Sequence, residues 1–321
     1  MLPSLFGNGR KGLFRQEAFM IRAVIDIGTN SARLLVADGT PGGEWRPLVR
    51  DMEASRLGEG MTNEAAITEG ARFRTREAVE KFIAEAKEAG AEEILGFGTS
   101  ILRDAPEGAG FAAELEKATG IPVKILSGEE EAFYSYLGAV GLSSAVAAVA
   151  DVGGGSTELC MGYGPAIGFR RSFPLGCVRC SDLFDTTTAR GLGELKKHCF
   201  QKFQDTKELT PVKQWIGVGG TMTSIASMLQ GLETYDPAKI QGYVIHAEDV
   251  SALLRKLYQM SYEDRCQFRG LRADRADIIV AGVAIVDSIM EYFALTEMTV
   301  SDRGLTEGLL DADAIRPECN G

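Results

Sequence analysis

Short apolar runs separated by turn residues mark the first strands of the chain. Residues 21–27 are apolar and rich in β-branched side chains, which predicts a buried strand. A turn signal at Gly28–Ser31 leads into a second apolar run over residues 32–37, so we expect a β-hairpin at the start of the fold. Because Met20 directly precedes the first strand, residues 1–19 are interpreted as an extension outside the fold.

Amphipathic stretches follow and alternate with further apolar runs. One helix, predicted to end at Gly90, has four apolar residues at positions i, i+3, i+4 and i+7. These residues are Val79, Phe82, Ile83 and Ala86. A strand over 94–97, a helix over 108–119 and a strand over 123–126 are predicted next. Alternation of this kind is typical of an α/β layer architecture.

The opening pattern recurs in the second half of the chain. Residues 145–152 form another apolar run, followed by a turn at 153–156 and a return strand over 157–161. Both openings have Asp near the end of the strand, at Asp26 and Asp151, then an apolar residue, a glycine and small turn residues. This repetition predicts a duplication of a whole lobe.

The remaining pattern predicts one more strand–helix unit and a helical end. A strand over 215–218 runs into Gly219, Gly220 and Thr221 and then into a helix through Ile225 and Leu229. The last predicted elements are a long apolar helix over 273–294, a strand over 298–300 and a terminal helix from Arg303.

Composition and charge narrow the class of protein. The chain has 321 residues, 45% of them hydrophobic, and a formal net charge of −11. Such a charge argues against binding to duplex nucleic acid or to an anionic membrane, since both require broad positive surfaces. No window of 18 apolar residues is present, so no membrane span is predicted. Six scattered cysteines favour a reducing compartment, and hence the cytoplasm.

The glycine-bearing turns are candidate phosphate sites. Glycines expose backbone N–H groups, and neighbouring hydroxyls reinforce them. An Asp at the strand end, such as Asp26 or Asp151, can hold Mg²⁺ beside such a turn. A single Gly-Gly-Gly turn could equally be a plain hairpin. Two matching turns and a third at Gly219, Gly220 and Thr221 favour phosphate binding.

An acidic cluster at residues 129–131 contains the candidate catalytic residues. Ser127 and Glu130 have the spacing of a capping box, which gives Glu130 a structural role besides a catalytic one. Glu131 has no such role, and a carboxylate beside a phosphoryl group can deprotonate an attacking water. Both Glu130 and Glu131 are therefore catalytic candidates, with Glu131 favoured.

Arginines after the strand ends are candidate ligands of phosphoryl oxygens. Arg103 and Arg33 are well placed for this, because the guanidinium fork matches phosphate geometry. Five other arginines could form a patch for a long polyanion, although solvated or salt-bridged side chains are more common. They are Arg170, Arg171, Arg269, Arg272 and Arg275.

Cys177 and Cys180 form a C-x-x-C pair. Such a pair can bind zinc or perform redox chemistry. No second pair lies at matching spacing, so the sequence favours two cysteines on one helix face.

Together, seven stretches resemble those of the exopolyphosphatase/guanosine pentaphosphate phosphatase family, which belongs to the actin-like superfamily with a duplicated ribonuclease-H-like fold. They are residues 23–31, 98–105, 125–132, 151–158, 173–176, 217–221 and 302–308. The resemblance implies two α/β lobes, each a mixed sheet flanked by helices, with a cleft between them. The first lobe would comprise residues 20–133 plus 303–316, and the second residues 134–302. Many family members continue with a further helical domain, so the chain resembles the short two-domain form.

The resemblance also implies roles for individual residues. The general base of the family falls on Glu131, and the cofactor is Mg²⁺ or another divalent cation. Its ligands would be Asp151 and Glu158, with Asp26 as a further candidate from the first turn. The residues implied to bind phosphate are Asn30, Ser31, Arg103, Gly153, Gly154, Gly155 and Ser156.

The function implied by this resemblance is release of terminal phosphate from inorganic polyphosphate. Hydrolysis of guanosine pentaphosphate at its 5′ end is the alternative within the family. A regulator that binds nucleotide or polyphosphate without turnover is the alternative from another class, and phosphate transfer to ADP is a third. A homodimer is expected by analogy with the family.

Overall fold

The computed structural model describes residues 19–60, 67–141, 145–206, 209 and 212–312. The predicted extension therefore lies outside the described residues except for Phe19, which is exposed. Residues 313–316, predicted to belong to the first lobe, also lie outside them. No helix in the described ranges is long and apolar enough to cross a membrane.

The first sheet is built from the N-terminal part of the chain and has five strands in the order β3-β2-β1-β4-β5. Its strands are β1 (Met20–Ile27), β2 (Ala32–Gly39), β3 (Trp45–Glu53), β4 (Glu93–Gly98) and β5 (Val123–Ile125). Its helices are α1 (Glu69–Glu88), α2 (Ser100–Asp104) and α3 (Gly108–Thr119). The predicted helix face is confirmed, because Val79, Phe82, Ile83 and Ala86 are buried on α1.

The second sheet has six strands in the order β10-β11-β9-β6-β7-β8. Its strands are β6 (Val146–Val152), β7 (Thr157–Tyr163), β8 (Ala166–Phe173), β9 (Trp215–Val218), β10 (Val244–His246) and β11 (Glu297–Val300). The helices of this half are α4 (Gly128–Val140), α5 (Cys177–Leu183), α6 (Ala189–Lys202), α7 (Gly219–Gln230), α8 (Pro237–Ile240), α9 (Ala247–Gln259), α10 (Tyr262–Cys266), α11 (Ile279–Tyr292) and α12 (Leu305–Leu309).

The two sheets repeat one topology. In each, three antiparallel strands form a meander whose first strand also pairs in parallel with a later strand: β1 with β4, and β6 with β9. Asp26 and Asp151 are each the penultimate residue of that central strand. The predicted duplicated α/β fold with two mixed sheets flanked by helices is therefore confirmed.

Helices α4 and α12 lie between the sheets. α4 packs on β6, β7 and β8, whereas α12 packs on β1, β2 and α4. Glycines allow this close crossing, since a Cβ on Gly138 would overlap the carbonyl of Gly304 and a Cβ on Gly308 would overlap that of Tyr134. The apolar core around α4 includes Val24 of one sheet and Val149 of the other. The lobes therefore meet through a shared core.

Two elements differ from the sequence-based expectation. The helix predicted over 273–294 is a 3-10 turn at Ala273–Arg275 followed by the shorter α11. Asp277 lies in the break between them and pairs with Arg56 of the first lobe. The edge strand β3 was not predicted, because its charged residues and Pro47 obscure the apolar alternation.

Candidate active site

The two glycine turns lie opposite each other between the sheets. Each is closed by the same backbone hydrogen bond, from Gly28 N to the Ser31 carbonyl at 3.1 Å and from Gly153 N to the Ser156 carbonyl at 3.0 Å. A Cβ on Gly154 would come within 3.1 Å of the amide nitrogen of Asn30. Asn30 and Ser31 are both buried in this contact. The fold thus brings together turn residues that are far apart in sequence.

Helix α5 orients the turn of the second lobe. The carbonyls of its three glycines each accept a hydrogen bond from the start of α5, either from a backbone amide or from a side chain. The bonds run from Cys177 N to Gly153 O at 2.9 Å, from Val178 N to Gly154 O at 2.9 Å and from Arg179 Nε to Gly155 O at 2.7 Å. In a trans peptide the N–H points away from the C=O. The amides of residues 154–156 therefore face away from α5, and together they form a concave row of donors suited to an anion.

Glu131 lies in the first turn of α4 and is paired with Arg103 of α2. Arg103 Nη1 donates to Glu131 Oε2 at 2.9 Å and to the carbonyl of Leu126 at 3.0 Å. Only 7% of Glu131 is exposed. Burial and the nearby Glu158 raise the pKa of Glu131 well above its usual value, although Arg103 opposes this shift. A carboxylate with a raised pKa is a suitable proton acceptor near neutral pH.

Glu158 and Asp151 are direct neighbours across β6 and β7. Ser135 donates to Asp151 Oδ2 at 2.6 Å, and Ser172 donates to Glu158 Oε1 at 2.6 Å. Burial raises the pKa of Glu158 to about 8, with a further contribution from Asp151. Burial also raises the pKa of Asp151, opposed by Ser135 and Arg33. The two carboxylates thus form a buried negative site that a cation would stabilise.

Asp26 adds a third carboxylate from the first lobe. Burial raises the pKa of Asp26 to about 7, with Arg33 opposing and Asp151 adding to the shift. Its Oδ1 is buried and has no hydrogen-bond partner among the described residues. The same part of the chain contains no group of three His, Cys, Asp or Glu side chains already arranged around a metal.

Glu130 serves as a helix cap. Its Oε2 accepts from Ser127 N at 2.9 Å, and Ser127 Oγ accepts from Glu130 N at 3.1 Å. Its Oε1 pairs with Lys124 at 2.7 Å. Partial burial would raise the pKa of Glu130, but Lys124 and Ser127 outweigh it and the pKa is lowered. Because both oxygens are engaged at the helix start, we do not retain Glu130 as a catalytic candidate.

The third turn brings two arginines into the site. Gly219 has a φ of +88°, and a Cβ there would overlap Asp151. A Cβ on Gly220 would lie 2.6 Å from Arg275 Nη1 and 2.9 Å from Arg33 Nη2. Neither arginine has an ion-pair partner in the described ranges, and burial lowers the pKa of Arg275. Two unpaired guanidinium groups at one glycine form a second position suited to an anion.

The expectation that Arg275 is solvated or salt-bridged was therefore wrong. For Arg269 and Arg272 the expectation is confirmed. Arg269 pairs with Glu233 at 2.9 Å, and Arg272 pairs with Asp274 at 2.7 Å. Only 6% of Arg275 is exposed, and its Nε has no described partner. The short 3-10 turn directs Arg275 inward, which an uninterrupted helix pattern did not indicate.

Thr221 and the C-x-x-C pair are packing residues in this structure. Thr221 is fully buried, and a Cβ on Gly282 of α11 would lie 3.1 Å from its hydroxyl, so that hydroxyl does not face the cleft. Cys177 and Cys180 are free and buried on α5, as their spacing predicted. Burial raises the pKa of both thiols.

Known proteins are similar to this chain over nearly its full length. The model of the Ppx/GppA phosphatase family matches residues 35–316. Exopolyphosphatase 2 of Mycobacterium tuberculosis is 30% identical, with 89% of this chain and 96% of that protein covered. The structure of the Aquifex aeolicus PPX-GPPA enzyme superposes with a TM-score of 0.78 at 27% identity, covering 92% of this chain and 100% of that one. An exopolyphosphatase from Cytophaga hutchinsonii gives a TM-score of 0.82 at 25% identity, covering 92% and 97%.

Proposed function

We propose that this chain, which belongs to the Ppx/GppA phosphatase family, is a magnesium-dependent exopolyphosphatase that hydrolyses the terminal phosphoanhydride bond of inorganic polyphosphate. The observation that carries the proposal is the buried Glu131 carboxylate, which is held by Arg103 and lies close enough to Glu158 and Asp151 for both to act on its pKa. The activity named for the relative from Mycobacterium tuberculosis supports the same substrate class.

In this proposal Glu131 accepts a proton from the attacking water. The water oxygen forms a bond to the terminal phosphorus while the bridging P–O bond breaks, and the shortened chain leaves with the bonding electrons. Arg103 orients Glu131, and the amides of residues 154–156 stabilise the negative charge on the phosphoryl oxygens. The raised pKa of Glu131 suits this role, because the base must both accept the proton and release it afterwards.

Asp151, Glu158 and Asp26 are the residues that would hold Mg²⁺. When bound, the ion would neutralise phosphate charge and polarise the bond that breaks. The unpartnered Oδ1 of Asp26 supports a cation at this position, and so do the burial of Glu158 and its repulsion by Asp151, which together raise the pKa of Glu158.

The arginine pair favours a substrate with more than one phosphoryl group. Arg33 and Arg275 lie at Gly220, and neither forms a close ion pair with a carboxylate in the described ranges, although Asp26 and Asp151 act on Arg33 from further away. A chain of phosphates could occupy the amide row of residues 154–156 and this arginine pair at once. This supports polyphosphate over a small phosphomonoester.

Guanosine pentaphosphate is the second candidate, and Tyr235 is the observation that favours it. Its ring is 45% exposed, and its hydroxyl donates to Asp302. Burial raises the pKa of Asp302, and Arg33 is close enough to oppose this shift. An exposed ring near the arginine pair could stack on a guanine. Tyr235→Leu should then impair hydrolysis of guanosine pentaphosphate and leave polyphosphate hydrolysis unchanged.

The test is phosphate release from long-chain polyphosphate and from guanosine pentaphosphate, with and without Mg²⁺. Glu131→Gln should lower the rate at least about a hundredfold, as loss of a general base does. Glu129→Gln is the matched control: Glu129 lies on the same helix turn, is exposed, and pairs with Arg170 at 3.2 Å.

Three results would contradict parts of the proposal. Full activity of Glu131→Gln would remove Glu131 as the base. Hydrolysis of guanosine pentaphosphate but not of polyphosphate would identify the nucleotide as the substrate instead. Tight binding of polyphosphate by the wild type, without any phosphate release, would favour the non-catalytic regulator.

A further inference from the structure

The side chain of Arg179 links the two lobes beside the amide row. Its Nε donates to the carbonyl of Gly155 at 2.7 Å, and its Nη2 donates to Asp104 Oδ2 at 2.5 Å. Arg179 lies on α5, which packs in the second lobe, whereas Asp104 is the last residue of α2 in the first. One guanidinium therefore joins the phosphate-binding turn of one lobe to a carboxylate of the other.

The contact at Gly155 controls one of the anion-binding amides. Because the peptide between residues 155 and 156 is planar and trans, holding its carbonyl fixes the direction of Ser156 N–H. The carbonyls of Gly153 and Gly154 are held by backbone amides, and only that of Gly155 is held by a side chain. This amide is therefore the one whose direction depends on a contact that reaches across the cleft.

The contact at Asp104 reaches Glu131 through Arg103. Asp104 Oδ1 lies 3.6 Å from Arg103 Nε, and Arg103 Nη1 holds Glu131 at 2.9 Å. Ser100 also donates to Asp104 Oδ2, at 3.1 Å. A continuous series of polar contacts thus runs from the Gly155 carbonyl through Arg179, Asp104 and Arg103 to the carboxylate of Glu131.

The chemistry of this link requires an arginine. A planar guanidinium presents donors in a fixed fork and can serve two acceptors in set directions, whereas a lysine ammonium is a single point charge. The side chain is not needed to anchor α5, because the amides of Cys177 and Val178 already bind the turn. The side chains of Arg179 and Asp104 are also partly exposed, at 23% and 33%, so each can be replaced without opening the core.

We propose that Arg179 and Asp104 are positioning residues that hold the amide row of the second lobe at the correct distance from Arg103 and Glu131. The proposal rests on the proposed function, since it takes Glu131 as the base. A reacting geometry misplaced by about 1 Å can cost a hundredfold in rate. The pair thus sets kcat, while the remaining amides and the arginines at Gly220 maintain substrate affinity.

The kinetic test is a double-mutant cycle with tripolyphosphate and Mg²⁺. Arg179→Gln and Asp104→Asn should each lower kcat about tenfold or more and change KM by less than about threefold, because both act through geometry. The double variant should be no slower than the slower single variant, because the two side chains act as one unit. Arg179→Lys should be intermediate. Arg190→Gln, which breaks an exposed pair with Glu194, is the matched control and should match the wild type.

The NMR resonance of the Ser156 amide gives a readout that does not depend on catalysis. Asp104→Asn should shift this resonance in the opposite lobe, and Arg179→Gln should shift it at least as much, because the Gly155 carbonyl belongs to the same peptide. If the wild type releases no phosphate, the proposed function fails. The amide readout then tests the contact between Arg179 and Asp104 on its own. If Arg179→Gln does not fold, Arg179→Lys and Asp104→Asn provide both readouts.

The proposal is overturned by kcat losses that multiply in the double variant, by effects confined to KM, or by an unchanged kcat in both single variants. An unchanged Ser156 amide resonance in Asp104→Asn also overturns it.

Discussion

The turns at residues 28–31 and 153–156 end the central strands of two sheets with the same topology, yet different segments support them. The second turn rests on the start of a helix and on the side chain of Arg179. The first rests on an irregular segment, with Arg56 N donating to Asn30 O and Gly58 N to Thr29 O, both at 2.8 Å.

The cross-strand partners of the two aspartates differ as well. Asp26 faces Arg33, whereas Asp151 faces Glu158 at the equivalent position of its sheet. At this position the duplicated backbone therefore carries a basic side chain on one side of the cleft and an acidic side chain on the other. The first lobe contributes the arginine that suits phosphate, and the second contributes the carboxylate pair that suits a metal ion.

The largest expected effect is a pH dependence of stability that arises from Glu158, the cross-strand partner of Asp151. Burial and Asp151 raise the pKa of Glu158 from 4.5 to about 8, so the folded state binds a proton that the unfolded state has released. This contribution to stability is full below pH 4.5 and is lost as pH rises through about 8. In EDTA, the free energy of unfolding should fall over this range, by at most about 5 kcal/mol from Glu158.

Denaturant unfolding in EDTA at several pH values measures this effect. Glu158→Gln should flatten the decline, and Mg²⁺ should stabilise the wild type more at pH 8 than at pH 5. The exposed Glu129→Gln should leave the slope unchanged. A wild-type stability that rises with pH in EDTA would show that the second lobe does not carry a buried, cation-dependent charge.

The next largest effect concerns the packing of α5 against the turn at residues 153–156. A Cβ on Gly176 would overlap the backbone of Gly154 and Gly155. Gly176→Ala should therefore displace α5 from the turn, costing about 3 kcal/mol and most of the phosphatase activity. Thermal unfolding and phosphate release measure the two losses. A variant with native stability and activity would mean that α5 does not hold this turn in place.

The smallest effect is expected for the corresponding glycine substitution beside the turn at residues 28–31 of the first lobe. A Cβ on Gly58 would meet mainly the methyl group of Thr29, a side-chain atom, whereas one on Gly176 would meet backbone atoms. Gly58→Ala should therefore cost less than Gly176→Ala, about 1 kcal/mol. As a control without neighbours, Gly193→Ala within α6 should stabilise by up to about 1 kcal/mol. If Gly58→Ala were as damaging as Gly176→Ala, the two turns would be equally rigid and the comparison would fail.

Local sequence patterns were enough to predict most of the helices and strands. The helix over 108–119 and the strand over 215–218 have the predicted bounds, because apolar periodicity and glycine ends are properties of neighbouring residues. The capping box at Ser127 and Glu130 is present for the same reason. The 3-10 break before α11 was missed, since it depends on the contact of Asp277 with a distant arginine.

The sequence by itself determined the duplicated fold, the turns and the capping role of Glu130, because each depends on residue types at short spacing. Only the tertiary structure identified Arg275 as buried and unpaired and Arg179 as a link to Asp104. It alone buried Glu131 and brought Glu158 near it, and both effects raise the pKa of Glu131. These properties arise where two lobes meet, and the distance between residues on separate sheets is set by packing around α4 and α12 rather than by their spacing along the chain.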